Sequence, residues 1–147
     1  MIPEFNEDGN LPAGVHETTF DELVERFGMN PKRAWLLDGL KLLIASLVKA
    51  NCSLIYIDGS FVTSKEVPGD YDLCWSLIGV VEREIDPILL DFTPMGRAKM
   101  EQKYRGDIFP AELPEGNSGK LFVEFFQTDK NTGEKKGIVA IKIGDAL

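Results

Sequence analysis

The sequence is poor in histidine and cysteine and carries no basic excess. Of its 147 residues, one is histidine (His16) and two are cysteines (Cys52 and Cys74). A single imidazole in a stretch punctuated by Pro12 and Gly14 builds no Ser-His triad, so His16 reads as a solvent-exposed or locally bonded residue. Two cysteines make neither a disulfide framework nor a zinc ligand set. In their apolar contexts they read as buried free thiols of a reducing cytosol. Lys and Arg number 16 against 24 Asp and Glu, a formal net charge of -8. That balance excludes a protein that grips long duplex DNA through its phosphates. It does not exclude a small nucleotide, because a bound cation reverses the local field. No stretch reaches the roughly 18 apolar residues of a membrane span. Even 35–48 is broken by Asp38 and Lys41. The opening MIPEFNEDGN has neither the basic nor the apolar region of a signal peptide. The expectation is a cytoplasmic, soluble protein with no membrane partner.

What is present is ordinary globular material, 44% hydrophobic and 27% charged, enough for one domain over 1–147. Residues 1–17 show no periodicity and read as an irregular arm. Thr19 and Glu22 fit a capping box, predicting a helix over 20–27 that ends at Gly28. Asn30 and Pro31 predict the start of a second helix over about 31–50, with Trp35, Leu36, Leu40, Leu43, Ile44 and Leu47 on one face. Residues 53–57 and 71–78 read as strands, 82–91 and 96–105 as helices, and IFPAEL after Asp107 as an edge or bend because of Pro110. LFVEFFQ (121–127) and GIVAIKI (137–143) read as strands of a hairpin with Asn131 and Gly133 near its tip, and Phe122, Phe125 and Phe126 as core. Helices, two strands, helices and then strands give an α+β fold with no repeat and no linker. Arg97, Lys99, Lys103 and Arg105 make 97–105 locally basic. Such a run is ordinarily a solvated helix face; the alternative is that it faces a triphosphate or an RNA acceptor.

The chemistry is concentrated in 54–75, LIYIDGSFVTSKEVPGDYDLCW. An apolar strand runs into Gly59-Ser60, nine residues intervene (61–69), and Asp70 and Asp72 open the next strand. Side chains alternate along a strand, so Asp70 and Asp72 share one face while Tyr71 and Leu73 take the other. Two neighbouring carboxylates repel each other, and a divalent cation is a common reason for them. Magnesium takes hard oxygen ligands, typically one or two carboxylates plus substrate phosphates. Gly59, without a Cβ, lets a phosphate approach the backbone. Ser60 can donate to phosphate oxygens, and Lys65 can meet a triphosphate as a mobile charge. The competing reading is a plain turn at Pro68-Gly69 with both aspartates on a solvated strand face.

This pattern resembles the nucleotidyltransferase superfamily related to DNA polymerase beta, and most closely its small bacterial single-domain members. The resemblance rests on Ile57 before Gly59-Ser60, the nine-residue gap, and Asp70 and Asp72 interleaved with Tyr71 and Leu73. It implies a nucleotidyltransferase-like sheet with helices packed on it, with Asp70 and Asp72 holding Mg2+ and Gly59, Ser60 and Lys65 on the nucleotide. The implied reaction transfers a nucleoside monophosphate from a nucleoside triphosphate to an acceptor hydroxyl on a protein, an RNA end or a small molecule. Some similar proteins work in toxin–antitoxin or defence modules, where a protein partner could bring the acceptor. The alternative within the same fold is an inactive binding module, an antitoxin or regulator. Many small members carry an arginine soon after Gly-Ser; here the loop offers Lys65 in its place. The resemblance also implies a third carboxylate on a later strand, for metal and for activating the acceptor. Asp107, Glu112 and Glu124 are the candidates. Asp107 is chosen because, like Asp70, it opens a strand, and because the preceding helix can return the chain beside Asp70; Glu124 is next.

Overall fold

Runs such as LIYI and IVAI are short, β-branched and apolar, and they lie in the interior of one sheet. The computed structural model describes residues 1–129 and 131–144. In chain order the elements are β1 (Gly14–Thr18), α1 (Phe20–Phe27), α2 (Pro31–Lys49), β2 (Leu54–Asp58), β3 (Tyr71–Trp75), α3 (Pro94–Tyr104), β4 (Gly106–Pro110), α4 (Phe122–Phe125) and β5 (Gly137–Lys142). The strands stand in the order β1-β5-β2-β3-β4. The outer pairs β1–β5 and β3–β4 are parallel, and the inner pairs β5–β2 and β2–β3 are antiparallel. The result is a single α+β domain, a mixed sheet with helices packed on it. A parallel β3–β4 pair needs a crossover, and α3 lies within it. Pro110 closes β4 at the sheet edge, where a missing N–H is tolerated.

Both helix N-caps read from the sequence are present. Thr19 Oγ1 accepts from the Glu22 N–H at 3.2 Å. Asn30 Oδ1 accepts from the Arg33 N–H at 2.9 Å, with Pro31 at the first helical position. The Glu22 carboxylate does not close the capping box. It accepts instead from the Ile2 N–H at 3.1 Å and from the Thr18 hydroxyl, which draws the N-terminal segment onto α1. The core lies on one face of the sheet, where Ile55, Ile57, Leu73, Ile108, Val139 and Ile141 meet Leu36, Leu40, Leu43, Ile44 and Leu47 of α2. Each such side chain contributes about 1.5–3 kcal/mol relative to exposure, so α2 is fixed chiefly by this stripe. Among the described residues no helix is long and apolar enough to cross a membrane.

Four expectations are corrected. Residues 14–18 of the supposed arm form β1, because β5 offers a parallel partner that local periodicity cannot reveal. Trp35 is not on the buried face of α2. Leu37 is, while Trp35 stays 46% exposed between the Lys32 and Arg105 cations. The 82–91 stretch is not one helix but two 3₁₀ turns, Glu82–Glu84 and Pro87–Leu90, separated at the residue before Pro87 where αR is disfavoured. Most consequentially, 121–127 is not a strand. Phe122–Phe125 is a single helical turn, and β5 pairs with β1 and β2 rather than with a hairpin partner. Of the hairpin the described residues keep an isolated Thr128–Lys135 bridge and backbone hydrogen bonds from Lys136 N–H to the Gln127 carbonyl and from Asp129 N–H to the Glu134 carbonyl. Phe122 and Phe126 are four apart, a helical spacing, and both rings pack on Phe109 of β4, at 4.6 and 5.5 Å between centroids.

Candidate metal centre

The sheet face opposite the core carries a row of carboxylates. Asp58 at the end of β2 stands opposite Asp72 of β3, and Asp72 stands opposite Asp107 of β4. Directly paired residues project to the same side, so three adjacent strands each deliver one aspartate at one level. Asp70, just before β3, adds a fourth from the same side, since Tyr71 and Leu73 are buried in the core. One carboxylate oxygen each from Asp70, Asp72 and Asp107 lies within 4.8 Å of the other two. The structure thus brings together the three aspartates singled out in the sequence. Glu124 is not among them: it sits on α4 and accepts from the Leu121 N–H. Nor is Glu112, which accepts from Ser76 Oγ at 2.8 Å and the Leu77 N–H at 2.6 Å.

The Gly-Ser segment sits directly against this cluster. Gly59–Val62 is one 3₁₀ turn, and Gly59 has φ +77°, a left-handed conformation that favours glycine. A Cβ on Gly59 would also fall 1.9 Å from Asp72 Oδ2. The turn therefore packs on the central carboxylate in a way only glycine permits. Lys65 is exposed in the loop that follows, and its charge, with that of Lys32, reaches Asp70.

What holds the loop was missed in the sequence. Arg33 of α2 is completely buried. Its guanidinium donates to the carbonyls of Phe61 (2.6 Å), Thr63 (3.0 Å), Lys65 (2.5 Å) and Phe27 (3.3 Å). It lies between the Phe27 and Phe61 rings. Asn30 Nδ2 donates to the Glu66 carbonyl at 2.7 Å, and the Ser64 N–H to the Gly9 carbonyl at 2.8 Å. The signal was available: Arg33 stands three, four and seven residues before Leu36, Leu37 and Leu40, so it lies on the buried stripe of α2.

Two further acids were also missed. Glu101 of α3 hydrogen-bonds to Asp70, and its carboxyl is pushed up to about 7 by burial and by the charges of Asp70 and Asp107. Asp70 is also held above its usual range, first by burial and then by Asp107. Asp58 is fully buried, and burial, then the charge of Asp72, pushes its carboxyl well up. Its Oδ1 has no hydrogen-bond partner among the described residues, and the Cys74 thiol lies 4.0 Å from Oδ2. Continuing the alternation of Tyr56 one step would have placed Asp58 on the site face.

These observations fit a divalent cation. The donors are all carboxylate oxygens, the set that suits Mg2+, Mn2+ or Ca2+ rather than soft metals. Their spacing is one that ions about 3.5–4 Å apart can bridge. The buried Asp58 oxygen with no hydrogen-bond partner among the described residues is a feature a hydrogen-bonded structural cluster would not need. The chain belongs to DUF6932. Residues 3–142 match this family, described as a family of unknown function. No curated protein and no solved structure is significantly similar to the chain.

The buried acid beneath the triad has a measurable consequence. In the metal-free protein Asp58 keeps its proton where an unfolded chain, with a carboxyl near 3.8, has lost it. The native state then binds more protons than the unfolded state, so stability falls as pH rises above about 4. Asp58→Asn removes that dependence. In urea unfolding with EDTA, the variant is expected to be more stable than wild type at pH 7, with the difference closing below pH 4. An unchanged pH profile would contradict the assignment of Asp58 as a buried, protonated acid.

Proposed function

We propose that this protein is a Mg2+-dependent nucleotidyltransferase that moves a nucleoside monophosphate from a nucleoside triphosphate to an acceptor hydroxyl. The observation that carries the reading is the meeting of Asp70, Asp72 and Asp107 beside a glycine turn that only glycine can make. The glycine turn, the Asp70–Asp72 pair and Asp107 come from three separate places in the chain. In this reading Gly59 and Ser60 hold the phosphates, Lys65 balances their charge, and Asp70, Asp72 and Asp107 hold the metal. Bound divalent ions would neutralise the phosphates and align attacking and leaving oxygens. The acceptor oxygen bonds to the α-phosphorus, and the bond from that phosphorus to the bridging oxygen breaks. Pyrophosphate leaves with the electron pair. The hydroxyl proton passes to the Asp107 carboxylate, at the exposed edge strand, and then to solvent.

The test uses triphosphates labelled at the α-phosphate, each incubated with the protein, Mg2+ and cell extract as the source of acceptors. The expected result is label retained on a protein, RNA or small-molecule acceptor with equimolar pyrophosphate release. Neither label transfer nor pyrophosphate release with any of the four would count against the transfer reaction.

A further inference from the structure

Among the described residues, the cation that touches the triad is Arg97. Its Nη2 donates to Asp107 Oδ2 at 2.8 Å, and its guanidinium lies 5.5 Å from the centre of the Phe109 ring. Arg97 stands on α3, the helix that also carries Glu101. Its side chain is 47% exposed, so it can leave this position without disturbing the core. The other nearby arginines are committed elsewhere. Arg33 is buried among the loop carbonyls, and Arg105 donates to the Trp35 carbonyl at 2.6 Å. The loop after Gly59-Ser60 supplies only Lys65, a point charge rather than a fork.

We infer that Arg97 is a metal-responsive triphosphate ligand: it neutralises Asp107 in the metal-free protein, gives up that carboxylate when a divalent cation enters, and turns its guanidinium to the triphosphate. The inference rests on the nucleotidyltransferase reading and deepens it. Asp107 cannot give its full charge to an ion while paired to a guanidinium 2.8 Å away, and a cation held there repels an incoming one. Once displaced, a guanidinium offers parallel donors that match phosphate oxygens, at a point adjoining the ion. One residue thus opposes bare metal and favours metal with triphosphate, so the site fills when both are present.

The role makes two predictions of opposite sign for one substitution. Arg97→Gln should bind Mn2+ alone about threefold to tenfold more tightly, since a competing charge is gone. It should bind a non-hydrolysable nucleoside triphosphate, at saturating Mg2+, about tenfold or more weakly, since charge-assisted bonds are lost. Arg97→Lys keeps the charge but not the fork. It should bind Mn2+ as wild type does yet still bind the triphosphate more weakly. Mn2+ is followed by electron paramagnetic resonance, the triphosphate by calorimetry, and thermal unfolding checks that each variant is folded. Arg97→Gln binding Mn2+ no more tightly than wild type, or triphosphate as tightly as wild type, overturns the inference while leaving the metal centre intact. Wild type binding neither Mn2+ nor the triphosphate when both are present overturns both the inference and the nucleotidyltransferase reading.

Discussion

Asp72→Asn is expected to lower metal-dependent triphosphate binding by about 100-fold or more and to leave the fold intact. Even residues that merely support a metal ligand cost about 10- to 100-fold in affinity when changed, and Asp72 is the central member of the cluster. It is paired in register with both Asp58 and Asp107, and its carboxylate packs directly against Gly59. Asparagine keeps the volume and removes a charge from a site already crowded with carboxylates. Thermal unfolding of the metal-free variant checks that it is folded. Calorimetry with Mg2+ and each triphosphate reads the binding. Equal heats for wild type and variant would mean that the aspartates form an ordinary solvated strand face.

Arg33→Met is expected to cost about 3 kcal/mol or more of stability, since each buried carbonyl left without a donor costs about 1–3 kcal/mol. Methionine preserves much of the packing between Phe27 and Phe61 but provides no hydrogen bond to the carbonyls of Phe27, Phe61, Thr63 and Lys65. Some of the lost bonds, those near the surface at Thr63 and Lys65, can be replaced by water, which keeps the figure below a full sum. Urea unfolding measures the loss. Limited proteolysis should show new cleavage within 61–69, because that loop has lost the fork that gathers its carbonyls. A loss under about 1 kcal/mol with an unchanged digestion pattern would contradict the organising role given to Arg33.

The parts of the fold legible in the sequence are those set by local chemistry. Thr19, Asn30 and Pro31 mark helix starts because capping satisfies backbone groups within a few residues. Asp70 and Asp72 could be placed on one face because strand alternation is a local rule. Asp107 could be brought beside them because it opens a strand after a helix able to return the chain. The parts that were not legible depend on distant partners. β1 has one apolar side chain, Val15, and forms because β5 offers it a neighbouring backbone. The 121–127 stretch is rich in β-forming residues, yet its phenylalanines are used at helical spacing against Phe109, so tertiary packing overrides propensity. Glu101 joins the site only because α3 lies beside Asp70, a relation that no spacing along the chain encodes.

In the proposed reaction Asp70, Asp72 and Asp107 jointly hold divalent metal next to a triphosphate gripped at Gly59 and Ser60. The most direct measurement is a crystal structure of the protein grown with Mn2+ and a non-hydrolysable nucleoside triphosphate, with the metal located by anomalous scattering. The expected result is an anomalous peak bonded to all three carboxylates at distances near those of Mg2+ oxygen bonds, about 2.1 Å, with phosphate oxygens completing its shell and contacting the 59–60 backbone. A triphosphate bound elsewhere, or a triad without metal at saturating Mn2+, would contradict it.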